Sequence, residues 1–456
     1  MNSITRRNFI RSASAVTVGA AIIPNFLSCS PSKKLNIAIV GVGGRGEVQW
    51  GACLDPDGMP LENVVAMCDV DASRAGKGFN SFPNARKYKD FRKMLDEMGK
   101  EIDAVMISTP DHTHFPAAMA AMQLGKHVYV EKPLAHNVWQ LRTLKKAARY
   151  YNVITQMGNQ GHATDGIRRV KEWVDAGVIG QVKEVFAWFD GPDFGPDKYF
   201  NKAASYPPLA EPIPEGFDWD LWLGPAAARP YNSVYAPKTW RGFYDFGNGE
   251  LGDWACHTLD APFWSLELGM PQATEALFHS GAPDGFLPDQ SIIKFEFPER
   301  GNKPPVSLMW YEGGLKPENR PEWNISELPG SGMIMVGEKQ NIITGGRPNN
   351  AQLMMSKEEW EDWVDNEMPE ATIPRIEGGP QQEFFRAVKR DGPLPGSNFD
   401  YATDLTEMAL MGVMAQRFNT RIEYDAKSMK VLNNEPLNNY IKEPVREGWS
   451  YGEGLL

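Results

Sequence analysis

The spacing of apolar residues divides the first third of the chain into strands and helices that follow one another. Short runs of aliphatic and β-branched residues, typical of strands buried on both faces, occur at 36–40, 63–68, 102–108 and 127–130. Helical spacing is found between them, at about 69–78, 91–99 and 115–124. Because strands that alternate with helices form parallel sheets with right-handed crossovers, we expect a doubly wound α/β domain over residues 34–155.

The pattern changes in the second part of the chain, where strands with one apolar face are joined by short Gly- and Pro-rich connections. These strands are predicted at 181–189, 273–279, 290–297, 305–311, 332–336 and 340–344, and helices at 379–390 and 399–417. We expect an α+β domain with an open, mainly antiparallel sheet over 156–430, and a tail over 431–456. The Pro- and aromatic-rich stretch 191–240 shows neither spacing, and a connection of that length is usually functional.

Residues 1–30 have the pattern of an export signal. Arg6 and Arg7 are adjacent and precede Phe9-Ile10, as in a twin-arginine motif, and a mildly apolar run follows. That run is too short to span a bilayer. The four residues that end at Cys29 loosely resemble a lipoprotein cleavage box, so lipid attachment at Cys29 and simple cleavage both stay open. Either outcome predicts an exported, periplasmic protein.

Composition narrows the function classes. The net charge is −11 and the sequence has no basic stripe, which argues against a nucleic-acid partner. The four cysteines form no C-x-x-C pair, so neither a zinc ribbon nor a disulfide scaffold is indicated. All seven histidines lie between His112 and His279, which places candidate proton chemistry in the middle of the chain. We predict no metal site.

A glycine motif follows the first strand. Gly41, Gly43 and Gly46 form G-x-G-x-x-G, which permits a tight turn, a close approach to a pyrophosphate and close packing of the next helix. Asp69 ends the second strand a little over 20 residues later, where an acid that binds ribose is expected. A carboxylate repels a 2′-phosphate, so NAD is favoured over NADP, although Arg74 lies near enough in sequence to leave NADP open.

Polar motifs also follow the next two strands of the predicted parallel sheet. Because ligands of such sheets bind beyond the carboxyl ends of the strands, we expect these motifs to meet at one groove. The predicted cofactor-binding residues are Gly41, Gly43, Gly44, Arg45, Gly46, Asp69, Ser108, Thr109, Pro110, His112, His114, Glu131, Lys132, Trp240 and Arg241. His112 and His114 are expected to open a helix and line this groove rather than bind a metal.

Four motifs together resemble the Gfo/Idh/MocA oxidoreductase family: G-V-G-G-R-G at 41–46, C-D-V-D at 68–71, S-T-P-D-H-T-H at 108–114 and V-E-K-P at 130–133. The resemblance implies a Rossmann domain followed by an α+β domain, with Lys132 near the nicotinamide and a turn at Pro133 that is often cis. It also implies that the helices at 379–390 and 399–417 pack on the second sheet near the cofactor domain. Dimers or tetramers that form through the open sheet are a further implication.

Asp253 and His257 are four residues apart and therefore share one face of a predicted helix. This D-x-x-x-H resembles the second catalytic signature of the family, in which the pair faces Lys132 across the nicotinamide. Oxidation of a secondary alcohol passes a hydride to NAD⁺ and a proton to a base. Either His257 or Lys132 can be that base, and Asp253 can orient it or hold a neighbouring hydroxyl. Asn159 and His162 are predicted to contact substrate together with Asp253 and His257.

Seven of the fourteen tryptophans lie between Trp173 and Trp264, and their flat faces suit the apolar faces of sugar rings. Trp240-Arg241 is the best-placed pair. We therefore predict oxidation of a secondary hydroxyl of a sugar or glycoside, for example C3 oxidation to a keto-glycoside. Because an exported protein meets no free nicotinamide pool, the cofactor is expected to be tightly bound. Two alternatives stay open: an NAD-dependent glycosidase that uses transient oxidation, and a non-catalytic sugar-binding protein.

Overall fold

A computed structural model describes residues 34–281 and 283–456 of the protein. The predicted export signal and the lipid-attachment residue Cys29 lie outside these residues. No helix in the described ranges is both long enough and apolar enough to cross a membrane.

The first sheet has six strands, all parallel, in the order β3-β2-β1-β4-β5-β6. The strands are β1 Asn36–Val40, β2 Asn63–Cys68, β3 Arg86–Tyr88, β4 Ala104–Ile107, β5 His127–Glu131 and β6 Thr155–Gly158. The order reverses beside β1, and this is the point where such sheets bind ligands. The sheet confirms the predicted doubly wound fold.

Five helices connect these strands: α1 Gly46–Gly51, α2 Ala72–Ser81, α3 Phe91–Met98, α4 Asp111–Gln123 and α5 Val138–Tyr150. Asp71, Asp90 and Asn137 cap α2, α3 and α5 with side-chain oxygens that accept backbone N–H groups. Helix α4 begins at Asp111, four residues before its predicted start. Its polar first turn is buried, so the sequence there lacks the usual contrast between a polar and an apolar face.

The second sheet has nine strands in the order β13-β12-β11-β7-β10-β9-β8-β14-β15. Their bounds are β7 Val182–Trp188, β8 Ala273–Ser280, β9 Gln290–Phe297, β10 Val306–Glu312, β11 Gly332–Gly337, β12 Asn341–Gly345, β13 Gln352–Leu353, β14 Arg421–Asp425 and β15 Lys430–Val431. Among the described strands of this second sheet, only β7 and β10 pair in parallel, which confirms the predicted mainly antiparallel sheet. The three strands that were not predicted are the short ones at its two edges.

Seven further helices accompany this sheet in the described residues: α6 Asp165–Asp175, α7 Trp219–Leu223, α8 Gly249–Thr258, α9 Asp260–Ser265, α10 Lys357–Asn366, α11 Gly379–Lys389 and α12 Phe399–Phe418. Helix α12 is buried along most of its length and packs against α5 and β6 on one side and β8 and β9 on the other. In α11, Gln381 donates to Gln49 and Gln382 to the carbonyl of Ala52, both in or next to α1. Helix α12 therefore packs between the two sheets near the cofactor domain, as the family resemblance implied, and α11 packs on the cofactor domain.

Two irregular segments contact the first domain. The stretch 191–240 contains little regular structure except α7, whose Trp219 and Trp222 stack at 4.8 Å. Near the end of the chain, Trp449 is buried against Phe91, and the Arg92 guanidinium lies 4.2 Å from the Trp449 ring centre. The predicted tail therefore packs against α3.

Candidate active site

A cavity of about 1050 Å³ lies beyond the carboxyl ends of β1, β2, β4 and β5. One wall is formed by these strand ends and includes Gly41, Asp69, Thr109 and Lys132. The opposite wall is formed by α8, the end of β7, the stretch 191–240 and the turn after β12. Motifs that are far apart in the sequence therefore face one space.

The glycine turn packs too closely for side chains. Gly41 has φ +81°, and a Cβ there would lie 2.7 Å from the backbone of Ser108. A Cβ on Gly46 would lie 1.9 Å from the Gly41 carbonyl oxygen. Asp69 Oδ2 accepts the backbone N–H groups of Val42 at 2.8 Å and Gly43 at 3.1 Å, so this carboxylate also holds the turn.

Unpartnered polar atoms beside this turn fit a dinucleotide. The hydroxyls of Ser108 and Thr109 are buried in the cavity wall without hydrogen-bond partners. Arg45 lies 3.0 Å from Glu131, yet its Nη2 atom is also buried and unpartnered. Phosphate and ribose oxygens supply the acceptors and donors that such groups lack. These residues would hold the dinucleotide in the groove.

His112 and His114 do not line the cavity, which corrects one prediction. Each is buried in the first turn of α4, with both ring nitrogens close to backbone carbonyl oxygens. His114 lies 2.8 Å from the carbonyls of both Thr109 and Pro133, and His112 lies within 3.2 Å of two carbonyls of the second domain. Burial lowers the pKa of His112 to about 3 and that of His114 to about 4. These histidines join chain segments beneath the groove.

Lys132 reaches the cavity from the end of β5, and its peptide bond to Pro133 is cis. Its ammonium group donates to Asp253 Oδ1 at 2.5 Å and to the Asp253 carbonyl at 2.8 Å. Burial favours the neutral form of Asp253, but Lys132 and Arg241 outweigh it and lower the pKa of Asp253 to about 2. Asp253 is therefore ionised, and its salt bridge with Lys132 joins the two domains' motifs directly.

His257 is a neutral base with one free nitrogen. Asn159 Nδ2 donates to the Cys256 carbonyl at 2.6 Å and to Asp260, which fixes the Asn159 amide so that Oδ1 faces His257 Nδ1 at 2.8 Å. An amide oxygen only accepts, so Nδ1 carries the proton and Nε2 carries a lone pair. Nε2 is buried without a partner, and burial lowers the pKa of His257 well below its ordinary value.

The Trp254 ring separates His257 from the cavity. Trp254 lines the cavity, stacks on Phe189 at 3.9 Å, and meets the His257 ring edge-on at 5.5 Å. His257 is fully buried and is absent from the cavity wall. The free nitrogen therefore lies one side chain behind the surface that a ligand would touch.

Asn159 and His162 also lie behind this wall, and the prediction that they contact substrate is corrected. His162 Nδ1 lies 3.0 Å from Asp260 Oδ2, and Tyr401 donates to Asp260 Oδ1 at 2.5 Å. Asn159 donates to the same carboxylate at 2.9 Å. Three side chains thus converge on buried Asp260, and through Asn159 this network orients His257.

Several residues of the cavity wall were not predicted. Tyr199 is one of them, and its ring centre lies 4.7 Å from the guanidinium of Arg241. Arg241 itself was predicted, and its guanidinium also lies 4.3 Å from the ring centre of Trp240. Arg347, in the turn after β12, lies 4.7 Å from the Trp254 ring centre. Trp254 lies inside the D-x-x-x-H motif, and Glu250 lies three residues before Asp253, so helical spacing around Asp253 could have found Glu250. No local pattern marks Tyr199 or Arg347.

Within residues 34–281 and 283–456, no three His, Cys, Asp or Glu side chains are grouped so that they could hold a metal ion. The site instead combines a glycine turn at the switch point of a parallel sheet with a Lys–Asp salt bridge and a neutral histidine. That combination defines a two-domain, dinucleotide-dependent oxidoreductase.

Comparison with known families identifies which one. Residues 35–159 match the Gfo/Idh/MocA model described as an oxidoreductase family, NAD-binding Rossmann fold, and residues 164–269 match the model of its C-terminal alpha/beta domain. The chain belongs to the Gfo/Idh/MocA oxidoreductase family. This confirms the predicted family and its NAD-binding domain.

The curated relatives match part of the chain. Levoglucosan dehydrogenase of Pseudarthrobacter phenanthrenivorans is 26% identical over 162 residues, which are 33% of this chain and 39% of that protein. Glycosyl hydrolase family 109 protein 1 of Shewanella sp. (strain MR-4) is 28% identical over 214 residues, 40% of this chain and 45% of that protein. The matches to these two relatives thus span less than half of their length.

Solved structures share the fold over most of the chain. The WlbA dehydrogenase of Bordetella pertussis, in complex with NADH and UDP-GlcNAcA, is 17% identical with a TM-score of 0.58, covering 86% of this chain and 99% of that one. Levoglucosan dehydrogenase in complex with NADH is 17% identical with a TM-score of 0.57, covering 88% and 100%. At this identity the likeness establishes the fold.

Proposed function

We propose that the protein is an NAD(H)-dependent oxidoreductase that acts on a secondary hydroxyl of a sugar or glycoside. The observation that supports this best is the Lys132–Asp253 pair, which faces the same cavity as the glycine turn. When NAD⁺ is bound, it supplies the acceptor for the hydride. The chain's own residues must bind the alcohol, stabilise the developing alkoxide and take the proton.

The three candidate residues divide these tasks. Lys132 pairs with ionised Asp253 at the cavity wall, where its amino group donates a hydrogen bond to the reacting oxygen and stabilises negative charge there. Asp253 orients Lys132. His257 is neutral with a free Nε2, so it receives the proton of the hydroxyl, either after a shift of the Trp254 ring or through a water molecule.

A sugar substrate is supported by the cavity wall and by the relatives. The aromatic side chains of Phe189, Trp240 and Trp254 line the wall, beside charged groups that can bind hydroxyls. Relatives named levoglucosan dehydrogenase and inositol 2-dehydrogenase act on polyhydroxylated rings, as their names state. Oxidation at C3 to a keto-glycoside is the reaction we propose within this class.

We further propose that the protein is exported with a resident NAD(H), and that it forms dimers or tetramers through its open sheet. The export proposal rests on the Arg6-Arg7 motif and the apolar run after it. An exported enzyme without a free nicotinamide pool must reoxidise bound NADH with a second substrate. Denaturing the purified protein should release close to one nucleotide per chain, and a protein that releases none would contradict the resident cofactor.

The activity is tested by screening sugars and glycosides against the purified holoenzyme while the fluorescence of bound NADH is followed. A substrate should yield a ketone and a rise in fluorescence, and K132M should abolish both. A panel of free and glycosylated hexoses that produces no ketone at any pH would contradict the proposal.

Hydrolysis is a second candidate, favoured by the match to glycosyl hydrolase family 109. In that reaction, transient oxidation acidifies a neighbouring C–H bond and the aglycone leaves, with no net change of the cofactor. Product analysis separates the two reactions. Free aglycone with unchanged cofactor supports hydrolysis, whereas an accumulating keto-glycoside supports oxidation. Binding of sugars without either product would favour the predicted alternative of a binding protein.

A further inference from the structure

Glu250 is a buried carboxyl group without a partner in the wall of the cavity. It lies in the first turn of α8, and only 1% of its surface is exposed. Its Oε1 atom is sealed from solvent and has no hydrogen-bond partner. No hydrogen bond or ion pair joins this carboxyl to any residue in the described parts of the chain.

A second buried glutamate shows what a structural carboxyl looks like in the same protein. Glu312 is fully buried at the end of β10, where it accepts hydrogen bonds from Trp310 Nε1 at 3.0 Å and from Gln416 Nε2 at 2.5 Å. Gln416 is itself held by Ser291 and Tyr244. Buried polar groups are normally satisfied in this way because an unpaired one costs free energy. Glu250 is therefore the exception that requires an explanation.

The position of Glu250 points to a ligand. It precedes Asp253 by three residues and so lies on the same face of α8. A Cβ on Gly191 would lie 2.9 Å from Glu250 Oε1, so at this point only bare backbone covers the carboxyl. Both Gly191 and Glu250 line the cavity.

Burial favours the neutral form of the Glu250 carboxyl group. Burial raises its pKa well above the ordinary value, and Asp253 and Glu312 raise it further, while Lys132 and Arg241 act in the opposite direction. A protonated carboxyl group both donates and accepts hydrogen bonds. That is the pattern a sugar hydroxyl needs, because a hydroxyl also does both.

We propose that Glu250 is a specificity-determining residue whose carboxyl group hydrogen-bonds a substrate hydroxyl next to the one that is oxidised at Lys132. The ligand class is a polyhydroxylated ring with adjacent hydroxyls. This inference rests on the proposed function. Substrates that lack the neighbouring hydroxyl leave Glu250 unpaired and bind more weakly.

The test compares E250L, E250Q and the control E312Q, each as purified holoenzyme. E250L should raise KM for the best sugar about 10- to 100-fold, whereas E250Q, which keeps a donor and an acceptor, should stay within about 5-fold of wild type. The Tm of E250L should equal or exceed that of wild type, because the substitution removes an unpaired polar group. E312Q should lower Tm and leave KM unchanged, because it disrupts a satisfied network outside the cavity.

Two readouts make the result decisive. Against analogues deoxygenated at one carbon at a time, one analogue should show the same KM with wild type and E250L. In infrared difference spectra recorded on sugar addition, a protonated-carboxyl band should shift in wild type and vanish in E250Q. An E250L variant with a lowered Tm and an unchanged KM for the wild-type substrate would overturn the inference. If wild type turns over no sugar, the proposed function fails instead, and the infrared band still tests the neutral acid.

Discussion

The two ends of helix α8 differ in how their polar groups are satisfied. At its beginning, Glu250 has no partner and Asp253 is paired only across the cavity wall with Lys132 and Arg241. At its end, His257 is held through Asn159 by the network around Asp260. Glu250 and Asp253 are poised for a ligand, whereas the hydrogen-bond network at the other end positions the His257 ring. One D-x-x-x-H motif thus spans a binding surface and its support.

The largest expected effect is a fall in kcat when the Lys132 amino group is removed from the cavity. K132M should lower kcat on the order of 10³-fold, because it removes the group that stabilises the alkoxide, while NADH binding changes little. Steady-state kinetics and NADH fluorescence titration measure the two quantities. Lys202 pairs with Asp289 outside the cavity wall, so K202M is the matched control and should retain full activity. Equal losses in both variants would contradict the role of Lys132.

Disrupting the hydrogen-bond network around Asp260 should lower the stability of the protein. D260N weakens the charge-assisted bonds from His162, Tyr401 and Asn159 in a fully buried place, so the free energy of unfolding should fall by about 3 kcal/mol. Urea unfolding measures this change. D404N breaks only the partly exposed pair with Lys145 and should cost less than about 1 kcal/mol. A D260N protein as stable as D404N would remove the distinction between the two ends of α8.

Each buried neutral histidine should make the stability of the fold depend on pH. His112, His114 and His257 have pKa values lowered by burial, whereas in the unfolded chain they titrate near 6.5. Below pH 6.5 the unfolded state binds more protons at these three side chains, so each of them contributes a loss of stability of about 1 kcal/mol for each unit by which the pH falls. Unfolding midpoints between pH 7 and pH 5 measure this slope. H114N should flatten it, and H279N, at a partly exposed histidine, should not.

The smallest effect should follow from releasing the His257 ring. N159A removes the acceptor that fixes the proton on Nδ1, so kcat should fall by about 10-fold while KM stays constant. The pH dependence of kcat should also change, because the ring can then adopt either tautomer. If kcat and its pH dependence are unaltered, His257 is not the proton acceptor.

Site residues at strand ends were predictable, because the spacing of apolar residues locates the strands and the parallel topology brings their ends together. Gly41, Asp69 and Lys132 follow buried strands, and parallel strands end at one edge. The direction in which a side chain leaves a turn was not predictable from the sequence. Asn159 and His162 follow β6 in such a turn, and both side chains are buried in the core. Arg347 reaches the cavity only because the second sheet carries its turn there, which depends on the packing of β12 and β11.

The packing of Trp449 and Tyr451 on the first domain has a consequence for synthesis of the chain. Trp449 contacts Phe91, and Tyr451 is buried as well. Although domains generally begin to fold in the order in which they leave the ribosome, this wall of the nucleotide-binding domain can close only after residues 449–451 have emerged. A nascent chain therefore exposes the apolar surface of α3 until translation has passed these residues.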